Sequence, residues 1–450
     1  MNIDLRHHID TGPMSRFQWT AVAVCVLLNV LDGFDVLVMA FTSQSVSQEW
    51  SISGSVLGLL LSAGLFGMAL GSIALAPWAD RIGRRTMILV CLSLSSSGML
   101  LSALAQNAGQ LGALRVLTGI GIGGILASSN VIASEFASSK FRGLAVTLNS
   151  TGYAIGATLG GVVAVVLQNT SGWRSVFLFG GLCTAALIPV VWFRLPESLD
   201  FLLARRPANA LQQINMLAVR TGHDPLDELP PAPIVSDKSR VRGVGPADVF
   251  TPELRRNTLL LWGAFFLTMF GFYFVTSWTP KLLVEAGMSA TQGITGGVLL
   301  NLGGIFGTAL LGVLTVRFRI GRVLVGYMAA ASILLAAFVP ATSTVAVGFV
   351  LGAAIGVVVN GCIGGLYALP TTLYSPPLRA TGMGWGIGVG RAGAILSPIV
   401  AGALLDAGWT ATQLYLLVSV AFLGAAVVVS TVRAQAGAAV ITVEGERTVA

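Results

Sequence analysis

The sequence predicts an all-helical integral membrane protein whose twelve spanning helices form two six-helix bundles. Of its 450 residues, 54% are apolar and 10% are charged, and 55 are glycine, which is a composition typical of polytopic membrane proteins. The apolar runs are continuous and long enough to span a bilayer, whereas barrel strands would alternate apolar and polar residues. The runs cover residues 18–42, 56–77, 86–105, 110–134, 144–167, 173–193, 257–279, 292–316, 322–340, 345–368, 381–404 and 410–431.

A charged, proline-containing stretch divides these runs into two groups of six. It is predicted to be a cytoplasmic linker with one amphipathic helix near residues 199–219. The halves repeat weakly, since Arg142 before the fifth run has a counterpart in Arg379 before the eleventh. Paired six-helix bundles around a midplane site are typical of secondary transporters. The expected units are a first bundle over 1–194, the linker over 195–256, a second bundle over 257–433 and a cytoplasmic tail over 434–450.

The positive charge indicates an orientation rather than a nucleic-acid partner. The net charge is +7, from 26 Lys and Arg against 19 Asp and Glu. With an even number of spans, the basic residues lie on one side except Arg174 and Lys281 in opposite loops and two arginines within spans. The positive-inside rule then places both termini in the cytoplasm. We expect a multi-pass protein of the cytoplasmic (inner) membrane.

Other chemistry is excluded by the residues that the apolar runs contain. The three histidines, His7, His8 and His223, lie in polar segments, so a proton carrier within the membrane must be a carboxylate. The four cysteines are widely spaced in apolar runs, and no nucleotide-binding loop or pair of nucleophile and base is evident. The sequence therefore predicts no enzyme activity, no cofactor and no metal site.

Two carboxylates inside the first run, Asp32 and Asp35, are the leading functional candidates. Each charge at membrane depth costs about 2.5 to 3.5 kcal/mol on insertion scales. Their i, i+3 spacing puts both on one face of a helix. A helix end in interfacial water is the alternative, but the apolar residues 36–41 that follow favour burial. We interpret both aspartates as functional residues within the membrane core.

Charges at the two ends of the fourth run need different partners. Arg115 lies about 8 Å inside the outer end of its run and Asp35 about 11 Å inside the first, at 1.5 Å per residue. Because an intramembrane arginine needs a partner, we predict that these two side chains pair. Glu135 lies at the opposite end of the fourth run and needs a base from elsewhere. The candidates for Glu135 are Arg81, Arg84 and Arg142.

Arg391 lies near the midplane of the eleventh run, about 15 to 18 Å from its inner end. No acid accompanies it in the membrane core of the second half, since Asp406 falls at the outer edge. A substrate carboxylate is the natural bidentate partner of such a guanidinium. The alternative is a buried arginine that caps main-chain carbonyls. In the aromatic seventh run, Phe270 and Tyr273 are candidates for stacking on a ligand, although such rings commonly face lipid.

A short loop between the second and third runs carries a cluster of charges. A tight turn with an acid followed by bases can clamp neighbouring helix ends, since acids favour helix N-termini and bases favour C-termini. Simple positive-inside charge is the alternative. We expect a gating loop formed by Asp80, Arg81, Gly83, Arg84 and Arg85, together with Arg142 and Arg379.

Over nearly its whole length the chain resembles the major facilitator superfamily and, within it, the aromatic acid:proton symporters. The resemblance is carried by Asp80-Arg-Ile-Gly-Arg-Arg85, by Asp32-Gly-Phe-Asp35, by Arg115, Asn130 and Glu135, and by Gly390-Arg391. The sequence departs from the family pattern in two places. Ala76 stands where the family usually has glycine, and Val316 lies near the position of the acid expected in the second-half copy of the loop.

This resemblance implies a major facilitator fold and a site for a small aromatic carboxylate such as benzoate, a hydroxybenzoate, gentisate or protocatechuate. It also implies that Asp32 and Asp35 couple uptake to protons, that Arg391 receives the carboxylate and that Asn130 belongs to the substrate site. The expected unit is a monomer in the lipid bilayer. The alternatives are a facilitator or symporter for another small metabolite, such as a sugar or a non-aromatic organic acid, and a non-transporting membrane sensor.

Overall fold

The structure is a computed structural model that describes residues 10–222, 225–229, 249–342 and 344–432. These residues form helices and connecting turns and contain no strand. Twelve of the helices are long and apolar enough to cross a membrane, which confirms the predicted fold class and number of spans. His7, His8, His223 and the tail over 434–450 lie outside the described residues.

The spanning helices fall into two groups, the first half before the linker and the second half after it. The first half contains α1 (Arg16–Trp50), α2 (Gly54–Ala74), α3 (Ala76–Ile82), α4 (Arg84–Ser102), α5 (Ala108–Phe136), α6 (Arg142–Ser171) and α7 (Trp173–Arg194). The linker contains α8 (Leu199–Arg205) and α9 (Ala210–Thr221). The second half contains α10 (Arg255–Glu285), α11 (Ala290–Arg317), α12 (Ile320–Ala341), α13 (Val345–Ala368), α14 (Pro370–Leu373), α15 (Pro376–Asp406) and α16 (Ala411–Ser430).

Local sequence fixes where several of these helices begin. The hydroxyl of Ser15 accepts from the amide of Gln18 at 3.2 Å, and the Gln18 side chain accepts from the Ser15 amide at 2.7 Å. This capping box satisfies donors that the first turn of α1 would otherwise leave unpaired. The same pattern of a hydroxyl residue and a glutamine three positions later begins α11 at Ser289 and α16 at Thr410.

The linker forms two short helices, so the single helix predicted over residues 199–219 is wrong. Arg206 has a left-handed backbone with φ of 49°, which ends α8 directly before Pro207. Proline cannot continue a hydrogen-bonded helix, because it lacks the amide proton. Leu199 and Leu202 of α8 are buried in one cluster with residues of the first half.

Helices α1 and α6 approach each other closely enough for backbone contact beside the two aspartates. A Cβ atom on Gly33 would lie 2.0 Å from the Tyr153 carbonyl oxygen, and one on Gly156 would lie 1.7 Å from that of Val30. Only glycine fits at such crossings, and small residues let membrane helices pack tightly. The backbone that carries Asp32 is therefore held against α6.

We expect Gly156→Ala to destabilise the protein by about 1 to 3 kcal/mol, because the added methyl overpacks the crossing of α1 and α6. Gly143→Ala is the matched control in the same helix, where a Cβ would meet nothing within 4 Å. Thermal unfolding of the detergent-purified proteins measures the difference. Equal melting temperatures for both variants would contradict the close crossing.

Candidate functional site

Asp32 and Asp35 lie in the middle of α1 and are both withdrawn from solvent. Asp32 is 5% exposed and Asp35 is 2% exposed. On each, the Oδ1 atom is buried and has no hydrogen-bond partner in the described part of the chain. Buried carboxylate oxygens are normally paired, because an unpaired polar group loses its hydration without compensation. The two carboxylates can therefore accept a proton or face a charged group that arrives from outside.

Arg115 contacts the residue predicted as its partner, Asp35, but through the main chain rather than the carboxylate. Its Nη2 atom donates to the main-chain carbonyl of Asp35 at 2.8 Å, and its Nη1 atom lies 3.0 Å from the sulfur of Met99. No ion pair within 4.0 Å joins the carboxylate of Asp35 to this guanidinium, both residues being described. The predicted depth was right, but depth along a helix does not determine which oxygen the side chain reaches. The guanidinium carbon also lies 5.7 Å from the ring centre of Phe177.

Arg391 occupies the middle of α15 and faces the first half of the molecule. It is partly exposed, and its guanidinium makes no hydrogen bond or ion pair with residues of the described chain. The predicted alternative, in which it caps main-chain carbonyls, therefore has no counterpart there. Arg391 lies close enough to Asp32 for their charges to act directly on one another. A basic group of the second half and an acidic group of the first thus face the same space.

Three tyrosines surround this pair of charges. Tyr153 of α6, Tyr273 of α10 and Tyr367 of α13 interact electrostatically with Asp32, with Arg391 or with one another. None of the three hydroxyls has a hydrogen-bond partner among the residues that the structure describes. Tyr367 is 36% exposed. Sequence reasoning missed Tyr153 and Tyr367, whose one signal was an isolated polar-tipped ring within an apolar run.

The two predicted aromatic residues of α10 have different neighbours. Tyr273 packs against Leu65 and Met68 of the first half and edge-on against Phe272, with ring centres 5.1 Å apart. Phe270 stacks on Phe266 at 6.4 Å. Tyr273 therefore joins the space between Asp32 and Arg391, whereas Phe270 lies about one turn away along α10.

Asn130 belongs to a chain of amides that links three helices. The Asn29 amide donates to Asn149 at 2.7 Å, and Asn149 donates to the side-chain oxygen of Asn130 at 2.7 Å. Asn130 itself donates to the Leu126 carbonyl at 3.0 Å. Asn29 lies one turn before Asp32 in α1, so this network supports the backbone beside the acidic site. Asn130 was predicted from the sequence, whereas its amide partners Asn29 and Asn149 were not.

The charged loop between α3 and α4 binds the ends of neighbouring helices. Arg84 forms an ion pair with Glu135 and lies 3.5 Å from Asp80. Arg84 is thus a partner of Glu135, as one of the three predicted candidates, and Arg115 at the far end of α5 has different contacts. Gly83 has φ of 102°. Arg81 is exposed at this end of the molecule.

A carboxylate that sequence reasoning missed completes this loop. The Oε1 atom of Glu197 accepts from the amides of Arg85 at 3.1 Å and Ser198 at 3.0 Å. A Cβ on Gly83 would lie 2.4 Å from the other oxygen of Glu197, so glycine makes room for the acid. Arg85 donates to the carbonyl of Trp192 and lies over its ring.

The two arginines predicted as repeat counterparts make the same contact. Arg142 donates from Nε to the carbonyl of Ser134 at 3.2 Å, eight residues earlier in the chain. Arg379 donates from Nη2 to the carbonyl of Thr371 at 3.1 Å, also eight residues earlier. Arg142 additionally forms an ion pair with Asp10. The internal repeat therefore extends from the sequence to the local geometry.

The two halves are joined at the end of the molecule that carries Asp406, which we call the Asp406 end. The Asp406 carboxylate accepts from the amides of Gly54 at 2.7 Å and Ser55 at 2.8 Å, in the first turn of α2. Lys281 donates to the Ser47 hydroxyl at 3.3 Å nearby. Charge at a helix N-terminus is favourable when it is negative. Asp406 thus joins the second half to the first half and closes the molecule at this end.

This closure continues inward as far as the central site. The Ser62 hydroxyl donates to the Ile395 carbonyl at 2.7 Å, and Ile395 lies four residues, about one turn of α15, after Arg391. At the opposite end, which we call the Arg84 end, no hydrogen bond or ion pair joins described residues of the two halves. Asp32 and Arg391 therefore lie between these contacts and the Arg84 end.

A central site between two helical halves, closed at one end, defines a membrane transporter rather than an enzyme. The chain belongs to the Major Facilitator Superfamily, whose family model matches residues 22–367. It is 33% identical over 437 residues to a gallate transporter of Pseudomonas putida, covering 95% of this chain and 94% of the relative. It is 32% identical to a 4-hydroxybenzoate transporter of Pseudomonas aeruginosa, covering 91% of each. These findings confirm the predicted family.

Solved structures share the fold. A partially occluded, inward-open xylose transporter from E. coli aligns with a TM-score of 0.69 at 16% identity, covering 94% of this chain and 99% of that one. An inward-facing bacterial homologue of the human lysosomal transporter Spinster aligns with a TM-score of 0.65 at 19% identity, covering 92% and 95%. The predicted major facilitator fold is therefore confirmed.

We expect Asp406→Ala to increase the population that is open at the Asp406 end, because the variant loses the acceptor for Gly54 and Ser55. Spin labels placed on α2 and α15 at that end report the distance distribution by double electron–electron resonance. Glu49→Ala is the control, since Glu49 at the same end contacts Trp173 and Arg174 of its own half. An unchanged distribution for Asp406→Ala would show that the contact does not hold this end closed.

Proposed function

We propose that this protein imports a small aromatic carboxylate together with protons across the cytoplasmic membrane. The observation that carries the proposal is the unpaired Arg391 guanidinium, which faces the Asp32 carboxylate across the space between the halves. The relatives support an aromatic substrate, since they are named for gallate, 4-hydroxybenzoate, benzoate and gentisate. We assign no cofactor to this function.

The proposed orientation puts the Arg84 end and both termini in the cytoplasm. This assignment is supported by the positive-inside rule, because most arginines and lysines lie toward that end. The closed Asp406 end is then extracellular, and the structure corresponds to an inward-facing state. Import requires the opposite state as well, in which the Asp406 end opens and the Arg84 end closes.

In the proposed site, Arg391 binds the substrate carboxylate through two parallel hydrogen bonds. Tyr273 and Tyr367 flank the aromatic ring from the second half, and Tyr153 faces it from the first. Their unpaired hydroxyls are available for the hydroxyl groups of a substituted ring. We place Phe270 and Asn130 at the edge of the site. Phe270 lies about one turn from Tyr273 and stacks on Phe266, and Asn130 belongs to the amide network beside Asp32.

The coupling follows from the charges in the site. While Asp32 is ionised, its negative charge neutralises the positive charge of Arg391. A substrate carboxylate that enters the site then adds a second negative charge with no positive charge to balance it. Protonation of Asp32 removes that competitor and leaves Arg391 available to the substrate. Asp35 is the second candidate carrier, since its carboxylate has no hydrogen-bonding partner on Oδ1 within the described chain. A closed site that holds the proton and the anion is less costly than one that holds the anion alone.

Uptake of labelled benzoate and 4-hydroxybenzoate into proteoliposomes, with and without an inward proton gradient, tests this function. Accumulation that depends on the gradient supports the symporter. Saturable uptake without accumulation would instead indicate a facilitator. If neither acid enters, other carboxylates take their place in the same assay.

We expect Asp32→Asn or Asp35→Asn, or both, to abolish accumulation driven by the gradient, because an amide cannot carry the proton. Counterflow of labelled against unlabelled substrate should survive, since exchange does not require net proton movement. Asp227→Asn is the control, because Asp227 is an exposed linker residue. Normal accumulation by both Asp32→Asn and Asp35→Asn would refute the assignment of proton coupling to these aspartates.

Arg391→Gln should raise the half-saturating substrate concentration roughly 10- to 100-fold, as expected when a hydrogen bond to a charged group is lost. Arg391→Lys should recover part of the affinity, because it restores the charge without the bidentate geometry. Equilibrium binding of the labelled acid to purified protein measures both. An affinity that the glutamine variant leaves intact would place the carboxylate elsewhere.

A further inference from the structure

At the Arg84 end, the arginines of the two halves differ in whether carboxylates pair with them. In the first half, Arg84 lies against two carboxylates, those of Asp80 and Glu135. The corresponding hairpin of the second half joins α11 to α12 and carries Arg317, Arg319 and Arg322, all of them exposed. Within the described chain, none of these three side chains forms an ion pair or a hydrogen bond.

The sequence explains why the second hairpin lacks an internal counter-charge. Between Glu285 and Asp406 the chain contains no aspartate or glutamate, and both of those acids lie at the Asp406 end. Three positive charges in close sequence repel one another unless an anion neutralises them. An anion that pairs with this hairpin would therefore come from outside the two helices.

An apolar groove leads away from this hairpin along the outer surface of the second half. It has a volume of about 460 Å³ and lies between α11, α12 and α13, with Arg322 at its mouth. Leu310, Leu314 and Val358 are among the residues that form its walls. A Cβ on Gly326, which also lines it, would meet nothing within 4 Å. The groove is thus open space of apolar character that begins at a basic group.

The surface beside the arginines is also apolar. Val316 is 89% exposed, Val313 69% and Phe318 52%. Exposed apolar side chains interleaved with arginines at the end of a spanning helix are suited to the boundary between acyl chains and headgroups. Water would hydrate the arginines of this hairpin but would leave its apolar side chains exposed.

We propose that this groove binds one anionic phospholipid of the surrounding bilayer. Its phosphate lies among Arg317, Arg319 and Arg322, and one acyl chain occupies the groove beside Gly326. The lipid supplies the negative charge that Asp80 and Glu135 supply in the first half. This inference rests on the membrane fold and on the charges of the hairpin, so it is independent of the transported substrate.

A second groove in the first half provides an internal comparison. It lies between α4 and α7 and is lined by Arg85 and Trp192. There the guanidinium already donates to the Trp192 carbonyl and lies over the indole ring. Groove shape is therefore shared by the two halves, whereas unpaired arginines at the mouth belong to the second-half groove.

Native mass spectrometry of the purified transporter, titrated with phosphatidylglycerol or phosphatidylcholine, tests the proposal. The unmodified protein should retain one phosphatidylglycerol in preference to phosphatidylcholine. The triple variant Arg317→Gln, Arg319→Gln, Arg322→Gln should bind phosphatidylglycerol about tenfold more weakly or worse, because the headgroup loses its three bases. The control is Arg255→Gln, Arg256→Gln, which removes the two exposed arginines that begin α10 at the same end.

A second pair of variants tests the groove without changing charge. Gly326→Leu fills the groove and should weaken phosphatidylglycerol binding. Gly312→Leu adds the same side chain to open space on α11 away from the groove lining and should not. Neither glycine variant removes a base. This pair therefore tests the proposal even if the triple arginine variant fails to fold.

Four results would overturn the proposal. Equal losses for both sets of arginine variants would indicate diffuse attraction to charged lipid, and equal binding of phosphatidylcholine would indicate an apolar groove without headgroup recognition. A lipid-free dimer disrupted by Gly326→Leu would make a second copy of the chain the occupant. Unchanged binding by the triple variant and by Gly326→Leu would place the lipid elsewhere.

Discussion

The cost of holding charge away from water determines how this molecule is arranged. Most of its charged side chains lie near the two ends, where water and opposite charges are available, as the ion pair of Arg84 with Glu135 illustrates. Within the spanning core, Arg115 is satisfied by a main-chain oxygen and a sulfur atom. Asp32 and Arg391 have no such internal solution and instead face each other across the two halves.

The spans, their number and the depth of each charge could be predicted from the sequence, because lipid imposes length and composition on each helix separately. Contacts between helices could not be predicted in the same way. Depth placed Arg115 level with Asp35 but did not reveal that the main-chain oxygen is the acceptor. Tyr153 and Tyr367 escaped notice because a ring in an apolar run shows no sign of which neighbour it faces. The break at Arg206 depends on a single left-handed residue.

The two copies of the internal repeat share some contacts and differ in others. The differences correspond to where aspartate and glutamate residues are present. Arg142 and Arg379 reach back to equivalent carbonyl groups, so the backbone geometry of the repeat has been kept. The carboxylates that neutralise the first hairpin have no equivalent in the second, where Val316 lies almost fully exposed. The two halves therefore share a helical scaffold and differ in how much their hairpins depend on the surrounding membrane.

Closure at the Asp406 end and charge at the central site are linked by one helix. Asp406 ends α15, Ile395 lies eleven residues before it and accepts a hydrogen bond from the first half, and Arg391 lies one turn before Ile395. Opening of the Asp406 end must therefore move the helix that carries the proposed substrate-binding arginine relative to Asp32. In the proposed mechanism this motion changes the position of Arg391 relative to Asp32, so that an anion can bind at Arg391 and a proton at Asp32. The proposed coupling of substrate and proton thus needs no element beyond this helix and its partner α1.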